Sequence, residues 1–184
     1  MTDIFETLES EVRGYCRSWP AVFERSQGST MYAEDGKEYL DFFSGAGALN
    51  YGHNHPVLVD ALQRHLSEQG FIHALDISTT TKRTFMERFE DLVLRPRGLD
   101  YKIQFPGPTG TNAVETALKT ARKATGREDV VHFTNAFHGM TLGSLAVTGN
   151  AFKRAGAGTP LYHATSAPYD DYIVGETSDF AWLK

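Results

Sequence analysis

The stretch from Tyr101 to Phe133, YKIQFPGPTGTNAVETALKTARKATGREDVVHF, restricts the possible folds of this chain more than any other. YKIQF reads as a strand and GPTGT as a turn. NAVETALKTARKA places Ala113, Val114, Ala117, Leu118 and Ala121 on one helical face, and DVVHF is again strand-like. Strand, helix and strand joined by short links predict an α/β fold with a mainly parallel sheet covered by helices. The rhythm continues with TNAFHGM as a loop, TLGSLAVTG as a short helix and PLYHA as a third strand. The glycines of AGAGTP suggest a mobile loop.

Upstream the pattern is less regular. Ile4, Phe5, Leu8, Val12 and Tyr15 fall at helical spacing and predict an amphipathic helix from Ile4 to Tyr15. In TMYAEDGKEYLDFFSG two apolar runs flank Asp35-Gly36, a hairpin signal because glycine accepts the positive φ of the turn. GAGALNYGHNHP is glycine-rich and irregular. After Pro56 a helix is expected, with Val57, Leu58, Ala61, Leu62 and Leu66 on one face and Gly70 as its C-terminal cap. Another helix is expected from about Thr79 to Leu94. Its inward face would be Phe85, Met86, Phe89, Leu92 and Val93, with Pro96 as its stop.

Composition narrows the partners. A net charge of −5 across 184 residues argues against nucleic acid or anionic membrane. No run approaches the ~18 apolar residues of a membrane span. The start, MTDIFETLESEVRGY, is acidic and interrupted, unlike a signal peptide. A single cysteine, Cys16, precludes an internal disulfide and suits a reducing compartment, so a cytoplasmic location is expected.

The chemistry concentrates at GPTGTN. A helix N-terminus carries unpaired N–H groups and partial positive charge, and glycine lets an anion approach the backbone closely. Gly107, Thr109, Gly110 and Thr111 sit at such a point, which makes a phosphate site one reading. The other is a plain capped turn, since Asn112 followed by Glu115 forms a capping-box pattern that needs no ligand. No lysine follows the second glycine, so this is not a P-loop. The dinucleotide fingerprint lacks its third glycine here, and GAGALN matches it at two positions only. The loop NAFHGMT, from Asn135 to Thr141, should face the same crevice as Gly110 and Thr111. There Phe137 could stack on a flat heteroaromatic ring, or serve as a core aromatic with His138 capping a neighbour. The histidines, with His53 and His55 two apart, lack metal-ligand spacing, and no metal is expected. Backbone hydrogen bonding in the loop suits them better.

In order and spacing, LDFFSGAGALNYGHNHP, TGTNAVETALKTAR and FHGMTLGSLAVTG resemble the N-terminal part of a class III aminotransferase, a pyridoxal-phosphate enzyme of fold type I. PRGLDYK, FPGPTGTNAVE, LNYGHNHP and LESEVRGYCRSWPAVF are most similar to the diaminobutyrate–2-oxoglutarate transaminase branch, which serves ectoine biosynthesis. The resemblance implies pyridoxal 5'-phosphate as cofactor. Its phosphate would bind Gly110 and Thr111 through backbone N–H and hydroxyl. Phe137 would stack on the pyridine ring, and His138 and Gly139 would complete that loop. Glu115 is expected to support rather than catalyse. In several relatives a tyrosine in the glycine-rich loop contacts substrate, and Ala46 falls there. The implied organisation is a 1–55 helix-and-hairpin segment belonging to a small domain, then the first half of the cofactor-binding large domain at 56–184.

The implied reaction moves an amino group from L-glutamate to L-aspartate 4-semialdehyde, giving L-2,4-diaminobutyrate and 2-oxoglutarate. The partners are thus a small-molecule amino donor and acceptor, and the family implies a homodimer or higher homo-oligomer. Pyridoxal chemistry also needs a Schiff-base lysine and a carboxylate on the pyridine nitrogen. The only Asp-x-x-Gln, Asp60 to Gln63, falls early in the chain rather than late in a large domain, and the seven lysines lie in the wrong context. No catalytic residue is therefore expected in this chain, which reads as an N-terminal fragment, inactive alone, with both groups downstream. Such a fragment should leave apolar helix faces and a sheet edge uncovered. Two alternatives stay open: another ω-aminotransferase acting on ornithine, acetylornithine or 4-aminobutyrate, or a non-catalytic module binding a phosphorylated ligand.

Overall fold

The computed structural model describes residues 4–11, 19 and 21–169. They belong to two compact units, residues 1–101 and 102–184. The first opens with a single helical turn, α1 (Ile4–Thr7). The helix expected through Tyr15 stops there, since Leu8 to Glu11 form turn, bend and irregular backbone, while residues 12–15, like Cys16 and Lys184, lie outside the described residues. Strands β1 (Phe23–Gln27), β2 (Thr30–Ala33) and β3 (Glu38–Leu40) form an antiparallel sheet in that order. The expected hairpin is present between β2 and β3, with Tyr32 opposite Glu38. Gly36 sits at φ +84°, and the Asp35 carboxylate accepts the Lys37 N–H at 3.0 Å, closing the turn. β1 was not legible in advance, because FERSQ lacks the alternation that marks a strand.

The glycine-rich stretch that follows is ordered. Its centre, α2 (Ser44–Gly47), is a left-handed turn rather than a helix of the usual hand, with Gly45 and Ala46 both near φ +55°, ψ +37°. Helix α3 (Pro56–Ser67) follows as expected, but its cap differs. Gln69, not Gly70, takes the left-handed conformation at φ +58°, and the Gly70 N–H closes onto the His65 carbonyl at 2.8 Å. Gly70 is instead pinned sterically, since a Cβ there would lie 2.1 Å from the His65 ring. Val57, Leu58, Leu62 and Leu66 share the expected face, and all four are exposed. Helix α4 (Thr80–Phe89) is capped by Thr79, whose hydroxyl accepts the Lys82 N–H. Pro96 does not stop this segment. Coiling continues through a π-helical turn, Glu90–Leu94, and a 3-10 turn, Arg95–Arg97, that contains the proline at a position where its missing N–H is not needed. Gly98, at φ +62°, ends it.

YKIQF, all but its Tyr101 in the second unit, forms no strand. A ladder requires a neighbour for its N–H and C=O groups, and alternation alone does not supply one. Helix α5 (Gly110–Thr125) begins earlier than its apolar face suggested. Of that face Leu118 is buried and Val114 half-buried, whereas Ala113, Ala117 and Ala121 are exposed. Strand β4 (Val130–Phe133) runs parallel to β5 (Ala164–Ala167), with Val130 opposite Ala164, as an α/β crossover demands. β5 thus starts at Ala164, the last residue of PLYHA, the segment expected to form it. Between them lie α6 (Leu142–Ala146) and α7 (Ala151–Ala155), the latter unforeseen. The core of this unit centres on α6, where Ser144, Leu145, Ala146, Val147 and Thr148 are all buried. Arg154 reaches back to donate to the carbonyls of Leu145, Ala146 and Thr148, satisfying the open end of α6. No described helix is long and apolar enough to cross a membrane.

Candidate functional site

At the entrance to α5 the capping arrangement is shifted three residues from the one expected. Thr109, in extended conformation, is the N-cap, and its hydroxyl accepts the Asn112 N–H at 3.3 Å. The same hydroxyl donates to the Asn112 side-chain oxygen. Asn112 is thus the third residue of the helix rather than its cap, and Glu115 is free for another task. Among the described residues, the N–H groups of Gly110 and Thr111 have no protein acceptor. Two aligned donors at the head of a sixteen-residue helix, with no acidic residue in the first turn, make a place for an anion. Gly110 leaves the approach open, because a Cβ there would meet nothing within 4 Å. Gly107, at φ +140°, brings the preceding chain close to the Asn112 side chain.

The loop of Phe137, His138 and Gly139 reaches this entrance. A Cβ on Gly139 would lie 2.3 Å from Thr111 Oγ1 and 2.6 Å from its Cβ, so only glycine fits there. The His138 N–H donates to Thr148 Oγ1 at 3.1 Å, while the His138 side chain is exposed. Phe137 is 59% exposed, so it is not a core aromatic, and the Lys153 ammonium lies 5.2 Å from its ring centroid. The structure therefore brings Thr111 against Gly139, as the parallel-sheet argument expected, and leaves the ring of Phe137 available to a flat partner.

Glu115 ties the two segments together. Its Oε1 accepts the Thr141 hydroxyl at 2.6 Å and the Ser144 N–H at 3.0 Å. Thr141 Oγ1 lies 2.7 Å from Thr111 Oγ1, and the Thr111 hydroxyl is 2.9 Å from Ser144 Oγ. Ser144 Oγ in turn donates to the Thr111 carbonyl at 3.2 Å. Partial burial works against the Glu115 charge, but donation from Thr141, Ser144 and Gly143, with Arg122 nearby, holds its carboxyl below the ordinary value. Gly143 is required here as well, since a Cβ would sit 2.3 Å from Glu115 Oε2. Thr148, fully buried, donates within reach of both the Ser144 and Gly139 carbonyls. Thr141, Ser144 and Thr148 were not singled out from the sequence. The available signal was hydroxyls three and four residues apart within an otherwise apolar helical segment.

A second polar cluster lies in the first unit. Asp41 Oδ1 accepts the N–H groups of Phe43 at 2.8 Å and Ser44 at 2.9 Å, and Oδ2 lies 2.8 Å from His53 Nε2. The Ser44 N–H and the His53 ring, aided by Phe43, hold the Asp41 carboxyl below its ordinary value against a smaller opposing effect of burial. His53 therefore meets a carboxylate as well as the backbone of Gly28, with which its own N–H and C=O pair. Gly28, Ser29, Asp41, Ser44, Leu49, Tyr51, Gly52 and His53 line a recess of about 330 Å³. Among the described residues no group of His, Cys, Asp and Glu could hold a metal ion.

Comparison with known proteins gives one consistent result. Residues 14–182 match the family described as aminotransferase class-III. A diaminobutyrate–2-oxoglutarate transaminase of Streptomyces avermitilis is 66% identical over 98% of this chain, which spans 43% of that relative's length. Among solved structures, an amine transaminase from an uncultivated Pseudomonas species, in its PLP-bound form, superposes with a TM-score of 0.72. It is 25% identical, over 88% of this chain and 37% of its own. The taurine:2-oxoglutarate aminotransferase of Bifidobacterium kashiwanohense, solved with PLP and glutamate, gives 0.66 at 26% identity, over 88% and 38%.

Proposed function

Because this chain belongs to the class III aminotransferases, we propose that the protein carrying it is a pyridoxal-phosphate-dependent transaminase. In this reading the reaction moves an amino group from L-glutamate to L-aspartate 4-semialdehyde, yielding L-2,4-diaminobutyrate and 2-oxoglutarate. The choice of substrates rests on the identity to diaminobutyrate–2-oxoglutarate transaminases, which runs from 51% to 66% among eight relatives. The observation that carries the cofactor is the pair of open N–H donors at Gly110 and Thr111 beside the Gly139 loop.

The residues present suit pyridoxal phosphate. Gly110 and Thr111 offer N–H donors and the positive end of α5 to a phosphate dianion. Phe137 offers an exposed aromatic face to the ring, and His138 and Gly139 set the path of that loop through Thr148. When bound, the cofactor supplies an electron-withdrawing ring that stabilises negative charge on the substrate carbon losing a proton. The chain's own contribution is to bind and orient. None of its seven lysines is given the covalent role, and Lys119 is exposed on α5. We keep the boundary near residue 55 between a small-domain segment and the cofactor domain. A cytoplasmic homodimer or higher homo-oligomer remains the proposed state of the whole protein.

The deciding experiment incubates the purified whole protein with L-glutamate and L-aspartate 4-semialdehyde and follows 2,4-diaminobutyrate by mass spectrometry. Turnover with ornithine, acetylornithine or 4-aminobutyrate instead would reassign the substrate within the family. Absence of any transamination by a PLP-loaded protein would remove the enzymatic reading. Phe137→Ala should weaken cofactor retention by ~1–2 kcal/mol, the scale of an aromatic stacking contact. Unchanged affinity would take away the stacking role.

A further inference from the structure

We propose that Glu115 is a positioning residue that locks the phosphate-binding turn and the ring-binding loop into a single rigid cradle. The inference rests on the cofactor reading above and concerns how the two halves of that site are kept in register. Its basis is an accounting of hydroxyl protons. Thr141 gives its one proton to Glu115, and Ser144 gives its own to the Thr111 carbonyl. The single Thr111 proton is then the one left to serve both the Thr111–Thr141 and Thr111–Ser144 contacts, as a shared donor. Donation runs in one direction, from Thr111 through Thr141 to the carboxylate. Charge-assisted acceptance at its end makes that direction the favoured one.

Two consequences follow for the site. The Thr111 hydroxyl proton is drawn inward, which leaves the N–H groups of Gly110 and Thr111 to face the phosphate. This refines the family expectation that the hydroxyl itself donates. Glu115 also joins α5 to residues 141–144 by contacts spanning 26 and 29 residues of sequence, and Thr148 extends that tie to the carbonyl of Gly139 and the N–H of His138. Among the described residues, the turn that would hold the phosphate and the loop that would hold the ring are otherwise joined by steric contact at Gly139 and by the short hydroxyl contacts of Thr111 with Thr141 and Ser144. Glu115 anchors those contacts through its two partners. A ligand with two groups gains from both subsites only if their spacing is held.

The test measures dissociation constants of the whole protein, freed of cofactor, for pyridoxal phosphate, pyridoxal and inorganic phosphate. Glu115→Ala should weaken pyridoxal phosphate by ~10-fold while pyridoxal and phosphate each change by less than about twofold, because each half still meets its own subsite. Glu115→Gln keeps an oxygen for Thr141 and Ser144 and should recover most of the loss. If Glu115→Ala does not fold, Thr141→Val breaks the same relay with little change of volume and carries the same expectation. Equal weakening of all three ligands, or no weakening of pyridoxal phosphate, would overturn the positioning role. Wild-type protein that fails to bind pyridoxal phosphate would overturn the cofactor reading and this inference together. Wild-type binding that the variants do not disturb would overturn this inference alone.

Discussion

Asp41 in the first unit and Glu115 in the second each organise a glycine-rich segment through one carboxylate, but at different range. Asp41 takes N–H groups two and three residues ahead, and its longest reach is the twelve residues to His53. Glu115 skips its own turn and binds partners 26 and 29 residues on. The near clamp gives a loop its shape. The far clamp gives two separate elements their spacing. Both carboxyls are held below their ordinary values, so electrostatics alone does not tell the roles apart, whereas the sequence distance spanned by their hydrogen bonds does.

The strongest way to break the far clamp leaves its carboxylate untouched. Gly139→Ala would press a methyl group into Thr111 at φ +131°, and should destabilise the whole protein by ~2–4 kcal/mol through overpacking and backbone strain. Chemical denaturation with an unchanged slope would register it, and a loss below ~1 kcal/mol would mean the two segments can part without consequence. Asp41→Ala should act less widely. It leaves the Phe43 and Ser44 N–H groups without their acceptor, so Tm should fall by several degrees while pyridoxal-phosphate affinity holds. A loss of affinity matching that of Glu115→Ala would erase the distinction between the clamps.

Acid should produce the smallest effect. Both groups have folded values depressed below their unfolded ones, 3.8 for Asp41 and 4.5 for Glu115. Their stabilisation is therefore complete above those values and is lost as pH falls through them toward the folded ones. Melting temperatures recorded from pH 7 down to about pH 3 should decline on the acid side, and Asp41→Asn and Glu115→Gln should each flatten part of that decline. A variant with an undiminished slope would show that its carboxyl does not titrate with folding.

The sequence was most informative where a physical cause is local. The 34–37 turn needed glycine at positive φ, α5 showed its apolar spacing, and the parallel pairing of β4 with β5 followed from element order. It was least informative where a cause is distant. Asn112 and Glu115 match a capping box by spacing, but Thr109 already fills the cap, and only the fold reveals that Glu115 points to residue 141. The open N–H groups of Gly110 and Thr111 follow from their place at a helix start, whereas the buried hydroxyls of Ser144 and Thr148 are visible only once α6 is seen in the core. YKIQF and Gly70 failed for related reasons. One needed a neighbouring strand that alternation does not provide, and the other yielded the left-handed position to Gln69.

The turn at Ser44–Gly47 raises a question of handedness. Ser44, Gly45, Ala46 and Gly47 all have positive φ, so a short piece of an L-chain takes the mirror image of ordinary helical geometry. Glycine has no preference between the two hands, whereas Ser44 and Ala46 each oppose this one by roughly 1–2 kcal/mol. At residue 46 a D-alanine would meet its natural geometry, and the L-residue present is held there by its surroundings. The stereochemistry of the chain is locally in tension with its path, and Asp41, bonded to the first N–H groups of the turn, is the group that keeps the path.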